Sequence, residues 1–296
     1  MIDKLEYLLA LAREQHFGRA AEACGISQPT LSAAVKQLEE TLGVLLVVRG
    51  SRFQGFTPEG QRVLDWGRRI VSDTRAMRDE VRASRTGLSG HLRIAAVPTA
   101  LASVVRLIAP FHARHPDVSF SVLSRSTGEI LAQLENLELD AALGYVDAGL
   151  GRMRTVPLYN EEYCLVVPAS HPLAARESVE WPEVAKVPLC LLTPDMQNRQ
   201  IVDTKLRAAG LMVAPMLESD SIVALLSHVQ AGQWGCVLPA ALTRAISLPT
   251  TIRPVPIVDT GRTPVVGLIY PLREPLTPLV TALVAEAHRH GAPAAR

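Results

Sequence analysis

FGRAAEACGISQPTLSAAVKQLEETLGVLLVVR, residues 17–49, decides the fold. Ala20, Ala21 and Ala23 make a compact helix starting near Gly18, whose small side chains let a second helix cross closely. Gly25 supplies the left-handed backbone that a sharp turn needs, and Ile26 staples that turn to a core. Ser27 is suited to cap the next helix. Pro29 is tolerated in a first helical turn, where its missing N–H has no intrahelical partner. Leu31, Val35 and Leu38 then recur at helical spacing and face inward. Gln28, Thr30, Ser32, Ala33 and Lys36 face outward. Two helices around a tight turn, the second with a polar outer face, are a helix-turn-helix, whose second helix enters the DNA major groove. An ordinary helical hairpin with a solvated face is the competing reading. The DNA contacts expected here are Gln28, Pro29, Thr30, Ser32 and Lys36.

Working outward, residues 3–14 read as an amphipathic helix with Leu5, Leu8, Leu9 and Ala12 inward, and Phe17 plugs the core beside it. On the other side, Leu42-Gly43-Val44 turns the chain. Leu45–Arg49 and Phe53–Phe56 are strand-like around a Gly50-Ser51 turn. This predicts a two-stranded wing, with Arg49 and Arg52 at its tip to reach phosphate or a minor groove. Thr57 (N-cap), Pro58 and Glu59 open a long helix. Its apolar stripe, Val63, Leu64, Gly67, Ile70, Val71, Thr74, Met77 and Val81, runs to about Ser84 and needs a partner. The same helix of a second subunit is the economical one, giving a homodimer. Thr86-Gly87-Leu88-Ser89-Gly90 reads as a hinge.

From His91 strands and helices alternate: strands at 91–97, 118–124 and 139–145 with helices at 99–115 and 128–137 between them. This is a βαβαβ unit and predicts a parallel sheet. A second set follows, with strands at 163–168, 188–193, 215–219 and 236–239 and helices at 198–209 and 221–231. A strand at 264–271 then returns and a final helix covers about 274–290. Two such lobes joined by crossing strands leave a cleft, and ligands of these sheets bind outside the carboxyl ends of strands.

Composition narrows the class. With 48% apolar and 20% charged residues and a net charge of +1, the chain is neither disordered nor a bulk polycation. Residues 1–90 hold 13 Lys/Arg against 11 Asp/Glu, a weak excess, but 41–58 is acid-free and contains Arg49 and Arg52. The start, MIDKLEYLLALAREQ, has acids in an amphipathic pattern and no small-residue cleavage site, so it does not read as a signal peptide. No apolar run approaches the ~18 residues of a membrane span, and the cytoplasm is the expected location. Cys24, Cys164, Cys190 and Cys236 are far apart without a Cys-x-x-Cys, so buried structural thiols are expected rather than a redox switch. The eight histidines show no metal spacing. Neither a Gly-x-Ser-x-Gly elbow nor a phosphate loop appears, so no catalytic residue, metal or cofactor is assigned.

Residues 17–49 with FTPEG (56–60) resemble the LysR-type transcriptional regulators. The β/α region is similar to that family's effector domain through LDAALGY (139–145), Ser170-His171-Pro172-Leu173 and VQAGQWGCVLP (229–239). The resemblance implies an α/β fold in three parts. These are a winged helix-turn-helix (1–58), a linker helix and hinge (59–89) and a two-lobed, periplasmic-binding-protein-like effector domain (90–296). Lobe I would take about 90–161 and 268–296, and lobe II about 162–267. It further implies a dimer of dimers, a homotetramer, on double-stranded promoter DNA, with a small molecule in the cleft altering DNA bending or spacing. Three positions depart from the family pattern. Ala33 stands where Arg or a similar polar residue is common. Leu45 and Val47 replace a frequent Pro and Phe of the wing. Gly232 and Gly235 are separated by two residues, one of them Trp234.

Polar groups at strand ends and helix starts mark the expected effector site: Pro98, Thr99 and Ala100; Ser126 and Thr127; Thr193, Asn198 and Arg199; Ser219 and Ser221. Each is also of a type that merely caps a helix or meets solvent. As a set, hydroxyls and helix N-termini with Arg199 as a forked partner point to a small anionic effector. RGSRFQGFTPEG and LLTPDMQNRQIVD look like LysR-type regulators found beside NAD-dependent formate dehydrogenase operons, which implies formate or another one-carbon metabolite.

Overall fold

The computed structural model describes residues 1–48, 50, 53–146 and 150–291, with the backbone alone at 79 and 82–86. Arg49 and Arg52 lie outside the described residues. The chain forms two compact units, Met1–Arg85 and Thr86–Arg296. Among the described residues no helix is long and apolar enough to cross a membrane.

The first unit holds α1 (Ile2–Glu14), α2 (Phe17–Ala23), α3 (Gln28–Leu42) and α4 (Pro58–Thr86). Helix α2 starts a residue before Gly18. The His16 imidazole caps it, its Nδ1 accepting from the Gly18 and Arg19 N–H groups at 3.0 and 3.3 Å. Gly25 takes φ 67°, as the turn requires. Leu5, Leu8, Leu11, Ala20, Ala21, Leu31, Val35 and Leu38 close over one another with Leu46, Leu64 and Val71.

Among the described residues the wing shows one bridge, Val47 with Phe56, flanked by Val48 N–H to Gly55 O at 3.0 Å and Thr57 N–H to Leu46 O at 2.9 Å, where two strands are expected. The Glu39 carboxylate takes the Leu46 and Val47 N–H groups at 2.7 and 3.1 Å, so those donors are spent on α3. Phe53 and Phe56 meet edge-to-face at 5.2 Å, and Phe53 stacks likewise on Phe17, turning the segment onto the core. Thr57 caps α4, its hydroxyl accepting from Gly60 N–H at 2.9 Å and donating to Leu45 O at 2.6 Å. A Cβ at Gly60 would collide with the Leu46 carbonyl, which accounts for the glycine of FTPEG.

The apolar stripe of α4 divides in two. Leu64, Gly67 and Val71 are buried and Val63 is partly buried against the unit's own core, while Ile70, Met77 and Val81 are 40%, 59% and 59% exposed and share a face with Trp66 at 64%.

The second unit contains two sheets. Strands β1 (Gly90–Ala96), β2 (Val118–Ser124), β3 (Ala141–Tyr145), β4 (Met153–Asn160) and β11 (Val265–Pro271) lie in the order β2-β1-β3-β11-β4. Strands β5 (Tyr163–Pro168), β6 (Val179–Glu180), β7 (Leu189–Leu192), β8 (Leu217–Ser219), β9 (Gly235–Pro239) and β10 (Ile252–Val258) lie in the order β6-β10-β5-β9-β7-β8. Helices α5 (Val105–Arg114), α6 (Thr127–Glu135) and α11 (Pro278–His290) pack on the first sheet. Helices α7 (Trp181–Val184), α8 (Gln197–Ala208), α9 (Ile222–Gln230) and α10 (Ala240–Ala245) belong with the second. An Arg114–Glu286 pair ties α5 to α11.

Pairing is parallel within the βαβ units, β1 with β2 and β3 and β7 with β8 and β9, and also where the short β6 meets β10. It is antiparallel where the chain crosses between lobes, for β11 with β3 and β4 and for β5 with β9 and β10. Because β11 belongs to the first sheet from Val265, residues 265–267 are part of lobe I rather than lobe II. The segment expected as one helix over 99–115 is a 3₁₀ helix, Pro98–Val104, followed by α5. The last helix begins at Pro278 under a Thr277 cap, not near 274.

Strand β10 holds Pro254 and Pro256, both exposed. Neither can donate, yet both keep register with β5, opposite Val166 and Cys164. They therefore occupy the ladder positions whose N–H would point to the outer edge.

Candidate functional site

Helix α3 presents the first site. Ser27 is its N-cap and accepts from Thr30 N–H at 3.3 Å, and Gly43 ends it in the left-handed region at φ 72°. Leu31, Ala34, Val35 and Leu38 are buried, leaving Gln28, Pro29, Thr30, Ser32, Ala33, Lys36 and Gln37 on one exposed face. Those positions follow a helix's 3.6-residue period, so they form one continuous strip along the outward side. Two are partly engaged: Thr30 Oγ1 lies 2.8 Å from Ser27 Oγ, and Lys36 Nζ lies 3.9 Å from Glu40. The strip combines one cation with amide and hydroxyl groups, the mixture that meets phosphates and base edges.

The second site lies where the chain passes between the lobes. The two crossings are tied together: Glu161 N–H donates to Pro264 O at 2.7 Å, and Val146 N–H donates to Val265 O at 2.9 Å. The Tyr145 hydroxyl, at the carboxyl end of β3, donates to Glu161 Oε1 at 2.9 Å and accepts from Asn198 Nδ2 of α8 at 3.2 Å. Thr127, starting α6, donates to Gln197 of α8 at 2.8 Å, a second contact across the lobes. Glu161 is 1% exposed, and burial pushes its carboxyl up to about 7 against the downward pull of the Tyr145 hydrogen bond. Burial, with Glu161 close by, also raises Tyr145 and Tyr163, so both stay neutral phenols. Glu161 Oε2 is buried without a hydrogen-bond partner, while Thr99 and Tyr163 lie beside the Tyr145 hydroxyl. Buried polar atoms are nearly always paired, so such a group marks a place where a ligand's donors and acceptors are wanted.

The sequence candidates fall into separate places. Thr99, Thr127 and Asn198 sit at the lobe contact, with Pro98 and Ala100 framing Thr99 in the 3₁₀ turn. Ser126 is spent on a capping box with Glu129, donating to Glu129 Oε2 at 2.9 Å. Thr193 closes the turn before α8, its carbonyl accepting from Met196 N–H at 3.0 Å. Ser219 and Ser221 serve the start of α9, Ser221 as its N-cap and Ser219 Oγ as acceptor for Ser221 N–H.

Arg199 is not free to fork onto an effector. It bonds Asp203 at 2.9 Å, Glu218 of β8 at 2.6 Å and the Leu192 carbonyl at 2.7 Å, with its side chain 8% exposed. With Arg199 engaged, the forked partner expected for an anionic effector is not offered by this residue. Glu161, Tyr145 and Tyr163 are not among the candidates read from the sequence, because both tyrosines fall inside strand patterns and Glu161 lies between two strands. The signal available was an acid at a chain crossing, between two strands.

Cys164 directly follows Tyr163 on β5, but its thiol lies beside Thr243 and Arg244. Cys190 and Cys236 face each other in register on β7 and β9, fully buried in the apolar packing that includes Leu225 and Val229. Cys164 is buried on β5, and Cys24 belongs to the first unit.

Comparison with known proteins agrees with this division. Residues 2–61 match the bacterial regulatory helix-turn-helix protein, lysR family, and residues 85–292 match the LysR substrate binding domain. The chain is 30% identical over 294 residues to the DNA-binding transcriptional dual regulator OxyR of Escherichia coli strain K12, covering 98% of this chain and 96% of that one. It is 32% identical over 240 residues to the hydrogen peroxide-inducible genes activator of Pectobacterium carotovorum, covering 81% and 80%. Among solved structures, a full-length OxyR variant from Pseudomonas aeruginosa superposes with a TM-score of 0.78 at 26% identity, over 100% of this chain and 99% of that one. CbnR in complex with its target DNA shares the fold, with a TM-score of 0.71 at 22% identity over 98% of this chain and 100% of that one.

Proposed function

Because the chain belongs to the LysR family of DNA-binding transcriptional regulators, we propose that it binds promoter DNA through the α3 strip, as subunits paired along α4, and that a small uncharged effector at the Tyr145–Glu161–Asn198 cluster shifts that binding. The observation that carries the effector reading is the buried Glu161 carboxyl with one oxygen unpartnered at the crossing between lobes. A ligand donating to Glu161 Oε2 while meeting Thr99 and Tyr163 would favour the closed arrangement held by Asn198–Tyr145 and Thr127–Gln197. It would shift the regulator by binding that arrangement better.

Formate, suggested by the resemblance around RGSRFQGFTPEG and LLTPDMQNRQIVD, fits this cluster less well than its neutral counterparts, since Arg199, the cation expected to meet it, is engaged by Asp203 and Glu218. Hydrogen peroxide, named in the relatives' descriptions, has the right character as a ligand: it is small, neutral, and both donates and accepts. A thiol reaction is not part of this reading: the hydrogen bonds of the cluster join Tyr145, Glu161 and Asn198, and the thiol next in sequence, Cys164, lies beside Thr243.

Fluorescence anisotropy of the gene's own upstream fragment, with formate, formamide and hydrogen peroxide added in turn, tests the proposal. Salt-sensitive binding altered by a neutral ligand is expected. A response to formate alone would reject the uncharged effector, and no salt-sensitive binding to any promoter fragment would reject the DNA role.

A further inference from the structure

The residue that caps α2 stands next to the first residue of the α3 strip. A Cβ added at Gly18 would lie 3.1 Å from His16 Cε1 and 3.5 Å from Gln28 Oε1, so the imidazole and the Gln28 amide border the same small gap. Gly18 sits inside α2 without a left-handed backbone, so what its missing side chain provides there is this gap. His16 and Gln28 are both exposed.

The cap also fixes where the imidazole carries its proton. Nδ1 accepts from the Gly18 and Arg19 N–H groups at 3.0 and 3.3 Å, so in the neutral ring the hydrogen is on Nε2. Among the described residues Nε2–H meets no acceptor. The neighbouring donors are spent: the Gly18 and Arg19 N–H groups on His16 itself, and the Arg19 guanidinium on Glu14 O at 2.7 Å. The His16 side chain, not the end of α2, therefore holds the donor left at this corner. In a helix-turn-helix the second helix enters the groove while the first crosses the sugar–phosphate backbone. Hydrogen bonds to phosphate fix register and orientation there without reading sequence.

We propose that His16 is a further DNA-contact residue, a role that rests on the DNA reading of α3. Its Nε2–H donates to one backbone phosphate oxygen in each half-site, beside the base pair that Gln28 approaches, and so sets the register of α3 in the groove. The imidazole is neutral in this role, because Nδ1 must stay an acceptor for α2. The contact is a hydrogen bond and not an ion pair, so it releases no counterion from the DNA, in contrast to Lys36.

The test uses the full chain and the gene's own upstream fragment. Ser and Asp are good N-caps, so His16→Ser and His16→Asp keep an acceptor for α2 and remove the distant donor. Either carries the test if the other fails to fold, and both should melt with the parent. His16→Ser should bind all operator variants about tenfold more weakly, the loss expected for a hydrogen bond to a charged group, with an unchanged salt slope. His16→Asp should bind more weakly still, since its carboxylate would face phosphate. Ethylation interference, which alkylates one phosphate at a time, should find one phosphate per half-site whose modification weakens the parent but not His16→Ser. Parental affinity and an unchanged interference pattern in His16→Ser would reduce His16 to a cap and overturn the contact while leaving the DNA role intact. A loss confined to one base pair, or a salt slope lowered by about 1, would overturn a neutral phosphate contact. Lower melting with every phosphate weakened alike would show that His16 acts only through the fold. Absence of salt-sensitive binding by the parent would reject the DNA role, and this contact with it.

Discussion

Tyr145 donates to Glu161 at 2.9 Å at the one level where both chain crossings meet, for Glu161 also reaches Pro264 O through its own N–H at 2.7 Å. A side-chain bond and a main-chain bond from the same residue thus hold the hinge, and the carboxyl is buried by the pairing it helps to make.

The pH dependence follows from that burial. The folded protein holds the Glu161 proton up to about 7, against 4.5 ordinarily. Between those values the folded state binds more protons than the unfolded state, so the contribution is complete below pH 4.5 and is lost as pH rises through 7. Glu161→Gln keeps an acceptor for Tyr145 and removes the titration. It should melt higher than the parent at pH 8, by on the order of 3 kcal/mol, and show no difference near pH 4.5. Thermal melts across this range check it. Identical slopes for both proteins would mean that Glu161 does not titrate there.

Arg199 should behave as a fastener of the second lobe. Arg199→Ala strands the Leu192 carbonyl and Asp203, and should cost roughly 2 kcal/mol. This is below the 3–5 typical of a fully buried pair because Glu218 is 41% exposed. Urea unfolding measures the loss. A variant of unchanged stability that instead loses effector binding would return Arg199 to the ligand site.

On α3, Gln28 and Ser32 should read bases while Lys36 meets phosphate. Gln28→Ala should lose about 1–3 kcal/mol of discrimination at one base pair. Lys36→Ala should weaken all sequences alike and lower the salt slope by about 1. Binding to a library of operator variants at several salt concentrations separates the two. The same pattern from both variants would refute the assignment.

The division of the α4 stripe makes a further distinction. Ile70→Glu and Met77→Asp place charge on the exposed face and should break dimers in sedimentation without unfolding the first unit. Val63→Asp, at a partly buried position, should instead destabilise that unit. Dimers that persist in both exposed-face variants would show that α4 does not pair through this side.

Local chemistry made much of the fold legible. The Gly25 turn, the Ser27 cap and the Thr57-Pro58 start depend on a few adjacent residues, and the structure holds each as read. Contacts distant in sequence were not legible. Glu39 holds the wing onto α3 through the Leu46 and Val47 N–H groups, a contact that no local pattern announces. Strand β4 carries Pro157 and pairs only along β11, and β10 is interrupted by two prolines, so neither has a plain strand pattern. Of the candidate cluster between the lobes, the positions of Thr99, Thr127 and Asn198 at strand ends and helix starts are readable from sequence. The acid and two phenols beside them are brought in by crossings about a hundred residues apart.

Those two prolines also bear on how the protein behaves in a crowded solution. With Pro254 and Pro256 turned outward, the β10 edge beyond the two-residue β6 lacks the N–H groups that a foreign strand would need for pairing. The flank of the second sheet is thereby protected against strand-by-strand aggregation. Replacing both prolines with valine would give the lobe a better strand and a stickier protein.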